Sequence, residues 1–377
     1  MGDMSRKLSI FTTSSARTLG ERVVAEINKI FNEDDIDHRV SLGQAKETVF
    51  ADDDVKVEIE QSVRDRDVYV IASPPDPLSR RLHLDLDGTI GTADSFTRDE
   101  VIGLLRDLRK NHRTSNDNLR MLLAYIAALH GAEADRVTAL PTLYPGGRQE
   151  RPRGREPNMA RLTAQELEAA GAYRVVTLDI HQEAVQGCFR TAYFNNLRAG
   201  RYLMKGFLED YHRDHPTLEQ LSVVSPDAGG TERARYFAKT LGNVPLVVSD
   251  KRRDHTSAHR VEEIVIIGDV SGRDVLIPDD MIDTGGTIAK VALAVRERGA
   301  RDIYLLCTHP LLNDPATATL QKLYGDGVIK RVITSDSIHH GQPYLDQNPW
   351  LKEVSVAPLI ARAIYNLNEG RSVSRLL

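Results

Sequence analysis

Val68-Tyr69-Val70-Ile71-Ala72 is an unbroken apolar run rich in β-branched residues. A strand of that kind has no polar face to offer water, so it belongs in a parallel sheet covered on both sides. The theme recurs along the chain. Strands are predicted at 7–11, 55–59, 137–143, 175–178, 222–225, 245–248, 263–267, 274–277 and 302–307. Between them, amphipathic stretches predict helices at about 16–31, 117–129, 162–170, 200–214, 231–241 and 287–298. Strands alternating with such helices predict an α/β fold of largely parallel sheets flanked by helices. A chain of 377 residues suits two sheets of this kind. No exact internal repeat is visible, although both halves share a strand–turn–helix rhythm.

The richest stretch is Val275-Leu276-Ile277-Pro278-Asp279-Asp280-Met281-Ile282-Asp283-Thr284-Gly285-Gly286-Thr287. It reads as strand, loop and helix start. Helix N-termini expose unpaired N–H groups that favour anions. Gly285 and Gly286 let backbone close around a phosphate, and Thr284 and Thr287 add hydroxyl donors. Asp279 and Asp280 would repel that phosphate, so they need another partner: vicinal sugar hydroxyls or a hard cation. A ribose bearing a 5-phosphate asks for this combination. The competing reading is an ordinary βα turn with acids in the first helical turn, where the dipole favours them. A calcium loop is excluded, because the twelfth position from Asp279 is Lys290 and not Glu.

Composition bounds the partners. A net charge of −5 argues against a general nucleic-acid binder. Two cysteines, Cys188 and Cys307, are too few for a disulfide framework and imply a reducing compartment. The first apolar run, Leu8 to Phe11, is too short for a secretory signal. No stretch reaches the roughly 18 apolar residues of a membrane span. The expectation is a cytoplasmic protein with no membrane partner.

Several further motifs carry chemistry. The loop from Tyr144 to Pro157 holds four arginines, at 148, 151, 153 and 155. It reads as a solvated basic loop or as a polyphosphate site, for which Arg is well shaped. Thr177-Leu178-Asp179-Ile180-His181 and Ser225-Pro226-Asp227-Ala228-Gly229-Gly230 each end a strand, where ligands gather in such sheets. His181 and Asp227 are candidate magnesium partners, directly or through water. Lys251-Arg252-Arg253-Asp254-His255 opens a polar stretch to about Glu262 that suits either a surface loop or a cationic lid. Residues 78–113 stand apart. Their Asp85-Leu86-Asp87-Gly88-Thr89 string resembles the haloacid-dehalogenase phosphatase motif, but that family builds a whole domain around it. An Asp-Gly turn in an inserted hairpin is the preferred reading, followed by a helix at 98–109.

Together the motifs resemble one family, the class I ribose-phosphate diphosphokinases, or phosphoribosyl-diphosphate (PRPP) synthetases. The resemblance runs from Phe11-Thr12-Thr13-Ser14-Ser15 to the closing Gly370-Arg371-Ser372. It passes through Val49 to Asp54, Asn116-Asp117-Asn118, Arg155-Glu156-Pro157, Asp179 to His181, Ser225 to Gly230, Lys251 to Arg253 and Asp279 to Thr287. It implies two type I phosphoribosyltransferase-like domains: residues 1–198, with an insertion at about 78–113 and a tail at about 358–377 packing on it, and residues 199–357. It also implies Mg²⁺-dependent transfer of the diphosphate of ATP to the 1-hydroxyl of ribose 5-phosphate.

By the same resemblance, Phe50, Asp52, Asp54, Arg148, Gln149 and His181 contact ATP. Asp279 and Asp280 hold the ribose hydroxyls, while Asp283, Thr284, Gly285, Gly286 and Thr287 hold the 5-phosphate. His181 and Asp227 are linked to Mg²⁺, and Lys251 and Arg253 are catalytic. A homo-oligomer, dimer or hexamer, is also implied. The insertion and small length changes around Arg148 depart from the family pattern. The alternatives are a non-catalytic regulatory homologue and a phosphoribosyltransferase that consumes PRPP.

Overall fold

The computed structural model describes residues 7–75, 113–152, 154–253 and 262–377, with backbone alone at 251–253 and 262–263. The expected helix at 98–109 and the Asp-Gly turn lie outside the described residues. The chain divides into two compact units: residues 1–198 with 337–340 and 357–377, and residues 199–336 with 341–356.

The first unit is built on a parallel sheet of β1 (Lys7–Thr12), β4 (Arg66–Ala72), β5 (Arg136–Pro141), β6 (Arg174–Leu178) and β7 (Tyr193–Leu197), in that order. Between β1 and β4 the chain forms helix α1 (Arg17–Glu33) and an antiparallel hairpin, β2 (Ala45–Val49) with β3 (Val55–Ile59). Helices α2 (Ser115–Gly131) and α3 (Met159–Ala169) follow β4 and β5. Helix α2 starts where the sequence supplies both arms of a capping box: Thr114 Oγ1 accepts the Asp117 N–H, and Asp117 accepts the Thr114 N–H. The core draws on Phe11, Val68, Val70, Leu122, Ile126 and Val137.

The second unit has a seven-stranded sheet ordered β10-β9-β8-β11-β12-β13-β14. These strands are β8 (Leu221–Ser225), β9 (Leu246–Arg253), β10 (Glu262–Ile267), β11 (Asp274–Ile282), β12 (Ile303–Pro310), β13 (Arg331–Ser335) and β14 (Leu351–Val354). All pairs are parallel except β9 with β10. The helices of this unit are α4 (Gly200–Asp214), α5 (Thr231–Thr240), α6 (Gly286–Glu297), α7 (Ala316–Gly325) and α8 (Gln342–Gln347). A last helix, α9 (Ala357–Asn368), belongs to the first unit. The α/β class with parallel sheets flanked by helices is therefore the class that the alternation predicts.

Two strands outrun their sequence patterns. β11 was expected to stop at Ile277 and continues to Ile282, because β12 runs alongside and supplies a parallel ladder out to the Ile282–Pro310 pair. β9 continues from the expected end at 248 to Arg253, supported by β10. In both, a neighbouring strand outvotes polar residues that signal a loop. Strands β2 and β7 carried no sequence signal: Ala-Lys-Glu-Thr-Val is half-exposed, and Tyr-Phe-Asn-Asn-Leu holds two poor strand formers.

Candidate functional site

In the second unit the chain leaves β8 towards β9 on one side and leaves β11 towards β12 on the other. The turns after β8 and β11 therefore diverge, opening a crevice at the carboxyl ends of the strands where ligands of such sheets bind. Asp227 stands in the first turn. The stretch from Asp279 to Thr287 forms the second.

Asp279 and Asp280 lie on β11 itself, with Asp279 opposite Cys307. Helix α6 begins at Gly286 and has no acid in its first turn. The acids are thus not there to satisfy the helix dipole, and the ordinary βα-turn reading fails. Asp280 is only 3% exposed. Its N–H donates to Asp279 Oδ1 at 2.8 Å. From α5, Arg233 Nη1 donates to Asp279 Oδ1 at 3.1 Å and to Asp280 Oδ1 at 3.3 Å. Burial pushes the Asp279 carboxyl well above the ordinary carboxylate range, the Asp280 charge adds to the push, and Arg233 opposes it.

Beyond the acids, Asp283 Oδ1 accepts from Asn313 Nδ2 at 2.6 Å. Gly285 turns the chain with φ 75° and ψ −5°, a left-handed conformation that an L side chain adopts only under strain. No side chain caps α6, and Thr284, Gly286 and Thr287 are exposed. The first-turn N–H groups and two hydroxyls are therefore presented together, as an anion such as phosphate requires.

Asp227 is exposed at the head of α5, where its Oδ1 accepts the Gly230 N–H at 2.7 Å. Lys251 and Arg253 sit on the end of β9, opposite Ile264 and Glu262 of β10. They belong to a strand and not to the expected loop; residues 254–261 of that loop lie outside the described residues.

The first unit brings together two further groups. Phe50, Asp52 and Asp54 share the exposed turn between β2 and β3, closed by the Phe50 N–H donating to Asp54 O at 2.8 Å. Phe50 is 49% exposed, an aromatic face without a core to fill. Arg148, Gln149 and His181 line one cavity of about 530 Å³ with Arg151, Glu156 and Gln182. The turns after β5 and β6 build it, so residues more than 30 positions apart share one wall.

His181 and Asp227 belong to different units, and both are exposed. Each is a donor of the kind that a hydrated hard cation reaches through water, since Mg²⁺ keeps several of its waters. A tighter group, His215 with Asp274 and Asp302, has ligand atoms within 4.8 Å of one another. Arg301 donates to Asp274 and Lys330 to Asp302, so that group is an ion-pair network at the opposite ends of β11 and β12. Sequence reasoning missed Arg233 altogether. Its one local trace is an arginine in the first turn of a helix, where the dipole disfavours a cation.

Two family models match the chain: the N-terminal domain of ribose phosphate pyrophosphokinase over residues 8–171, and a phosphoribosyl synthetase-associated domain over residues 223–377. The chain is 34% identical to ribose-phosphate pyrophosphokinase 2 of Enterococcus faecalis, over 98% of this chain and 96% of that one. It is also 34% identical to ribose-phosphate pyrophosphokinase 1 of Listeria innocua, over 98% and 97%. The crystal structure of phosphoribosylpyrophosphate synthetase from Mycobacterium smegmatis superposes with a TM-score of 0.76 at 30% identity, covering 97% of this chain and all of that one. Among the described residues, no helix is long and apolar enough to cross a membrane.

Proposed function

Because the chain belongs to the ribose-phosphate pyrophosphokinase family of enzymes, we propose that it transfers the diphosphate of ATP to the 1-hydroxyl of ribose 5-phosphate, giving PRPP and AMP. The observation that carries this reading is the end of β11: two neighbouring acids on the strand, followed at once by an uncapped helix N-terminus behind a left-handed glycine.

Asp279 and Asp280 accept hydrogen bonds from the ribose 2- and 3-hydroxyls. The N–H groups of the first turn of α6, with the Thr284 and Thr287 hydroxyls, take the 5-phosphate, and Asp283 and Gly286 complete that turn. In the first unit, Phe50 offers its exposed ring to adenine, and Asp52 and Asp54 accept from the nucleotide ribose. Arg148 and Gln149 bind the polyphosphate from the cavity wall that His181 shares. His181 and Asp227 are the residues that would hold Mg²⁺, through its water shell. When bound, the ion supplies positive charge against the non-bridging diphosphate oxygens.

The 1-hydroxyl oxygen attacks the β-phosphorus in line, its proton passes to solvent water, and the bond from that phosphorus to the bridging oxygen breaks, that oxygen leaving with AMP. Charge spreads over the non-bridging oxygens, and Lys251 and Arg253 stabilise it without any covalent intermediate. A cytoplasmic homo-oligomer, dimer or hexamer, acting on small molecules and on neither nucleic acid nor membrane completes the proposal.

The test is to incubate the protein with ATP, Mg²⁺ and ribose 5-phosphate and to follow AMP and PRPP together. Equal yields of both, lost in Lys251→Ala through kcat with KM little changed, are expected. Folded protein that forms no AMP overturns the reading and points to a regulatory homologue.

A further inference from the structure

The resemblance assigns no role to Arg233, yet it is a side chain that ties the two turns of the second unit together. It leaves the first turn of α5, directly after the turn that holds Asp227, and reaches across to β11. One nitrogen, Nη1, lies 3.1 Å from Asp279 Oδ1 and 3.3 Å from Asp280 Oδ1. The span is made possible by sheet order: β8 and β11 are adjacent and parallel, with Val223 beside Leu276.

Two features set this contact apart from ordinary surface pairing. Asp280 is almost wholly buried, and the Arg233 side chain is 24% exposed, so the contact is largely screened from solvent. Its position in the helix is also locally unfavourable, because a cation in the first turn meets the positive end of the helix dipole. A residue that breaks a local rule without a local gain marks a function elsewhere. The gain here is across the crevice.

Resting on the function proposed above, we infer that Arg233 is the positioning residue of the ribose site: its guanidinium holds the Asp279 and Asp280 carboxyl groups side by side, so that both present oxygens to the hydroxyls of the sugar. Neighbouring carboxylates that are buried repel one another and draw a proton, and a carboxyl that carries a proton no longer accepts at that oxygen. The guanidinium offsets the repulsion while its geometry keeps both Oδ1 atoms on one donor. Arg233 itself takes no part in phosphoryl transfer.

The test compares Arg233→Gln and Arg233→Lys with the unchanged protein, by steady-state kinetics and by calorimetric titration of ribose 5-phosphate alone, with thermal melting to confirm folding. For Arg233→Gln, KM and Kd for ribose 5-phosphate should rise by roughly 10- to 100-fold, the range for losing a charged hydrogen bond in a buried setting. KM for ATP should stay within about threefold. Arg233→Lys keeps the charge without the planar fork and should recover part of the loss. Arg233→Gln with unchanged affinity for ribose 5-phosphate, with both KM values raised alike, or with no recovery in the Lys variant overturns the inference while leaving the enzyme reading intact. An unchanged protein that neither binds ribose 5-phosphate nor forms PRPP overturns both.

Discussion

At the scale of single residues, Asp279 shows a site that costs the free protein stability. Burial and Asp280 raise its carboxyl well above the ordinary range. A raised acid stabilises the fold with its proton on. That contribution is complete below the ordinary carboxylate pKa and is lost as pH climbs through the raised value. Once pH exceeds that raised value, the charged pair is therefore a burden on the ligand-free fold. Asp279→Asn should stabilise the ligand-free protein by on the order of 1 kcal/mol, while weakening ribose 5-phosphate binding at least about tenfold. Thermal melting beside calorimetric titration checks both halves, and a variant that melts lower would refute the account. The two acids themselves were plain in the sequence. Arg233 was not, because nothing local announces that position 233 meets positions 279 and 280 across two adjacent strands.

Among the elements, β11 and the turn behind it decide the site. The sequence pattern ended this strand at Ile277, since Pro-Asp-Asp reads as a loop. The ladder to β12 carries it five residues further, and the acids thereby gain a rigid strand in place of a mobile turn. Gly285 then reverses the chain at φ 75°. Gly285→Ala should cost about 1–2 kcal/mol of stability from the left-handed backbone. It should also raise KM for ribose 5-phosphate and spare KM for ATP, because the strain falls on the turn proposed to bind the 5-phosphate. Denaturant unfolding with steady-state kinetics measures both, and equal effects on the two substrates would count against the assignment of this turn. The cavity at Arg148 was legible only as loose motifs, since its two walls arrive from separate turns of one sheet.

For the whole molecule, the two units repeat one topology, although no exact repeat is visible in the sequence. β1-β4-β5-β6-β7 and β8-β11-β12-β13-β14 have the same strand order, each with a hairpin between its first and second strands. In chain order, the segment between β4 and α2 is the counterpart of residues 283–285 between β11 and α6. The insertion thus falls where the other unit carries the turn that we propose binds the 5-phosphate. The chain also returns to finish its first unit. α9 buries Leu359, Ile360, Ile364 and Tyr365, packs on α1, and is pinned by Tyr365 donating to Asp34 and by Asn368 donating to Asp67. Ile364→Ala should cost about 2–4 kcal/mol. Hydrogen exchange should then accelerate in α1 and α9 and leave β11 and β12 protected; faster exchange in β11 and β12 instead would contradict the division into units.

The amino-acid sequence alone determined the α/β class, because parallel strands and their helices impose periodicities that need no knowledge of partners. It also determined the acid–threonine–glycine string, whose residues are neighbours along the chain. Tertiary structure alone decided where β9 and β11 end, that Arg233 meets the acid pair, and that Arg148 and His181 share a cavity. Each of these depends on which strands lie side by side, and that choice is made by burial summed over a whole sheet, beyond the reach of any local window.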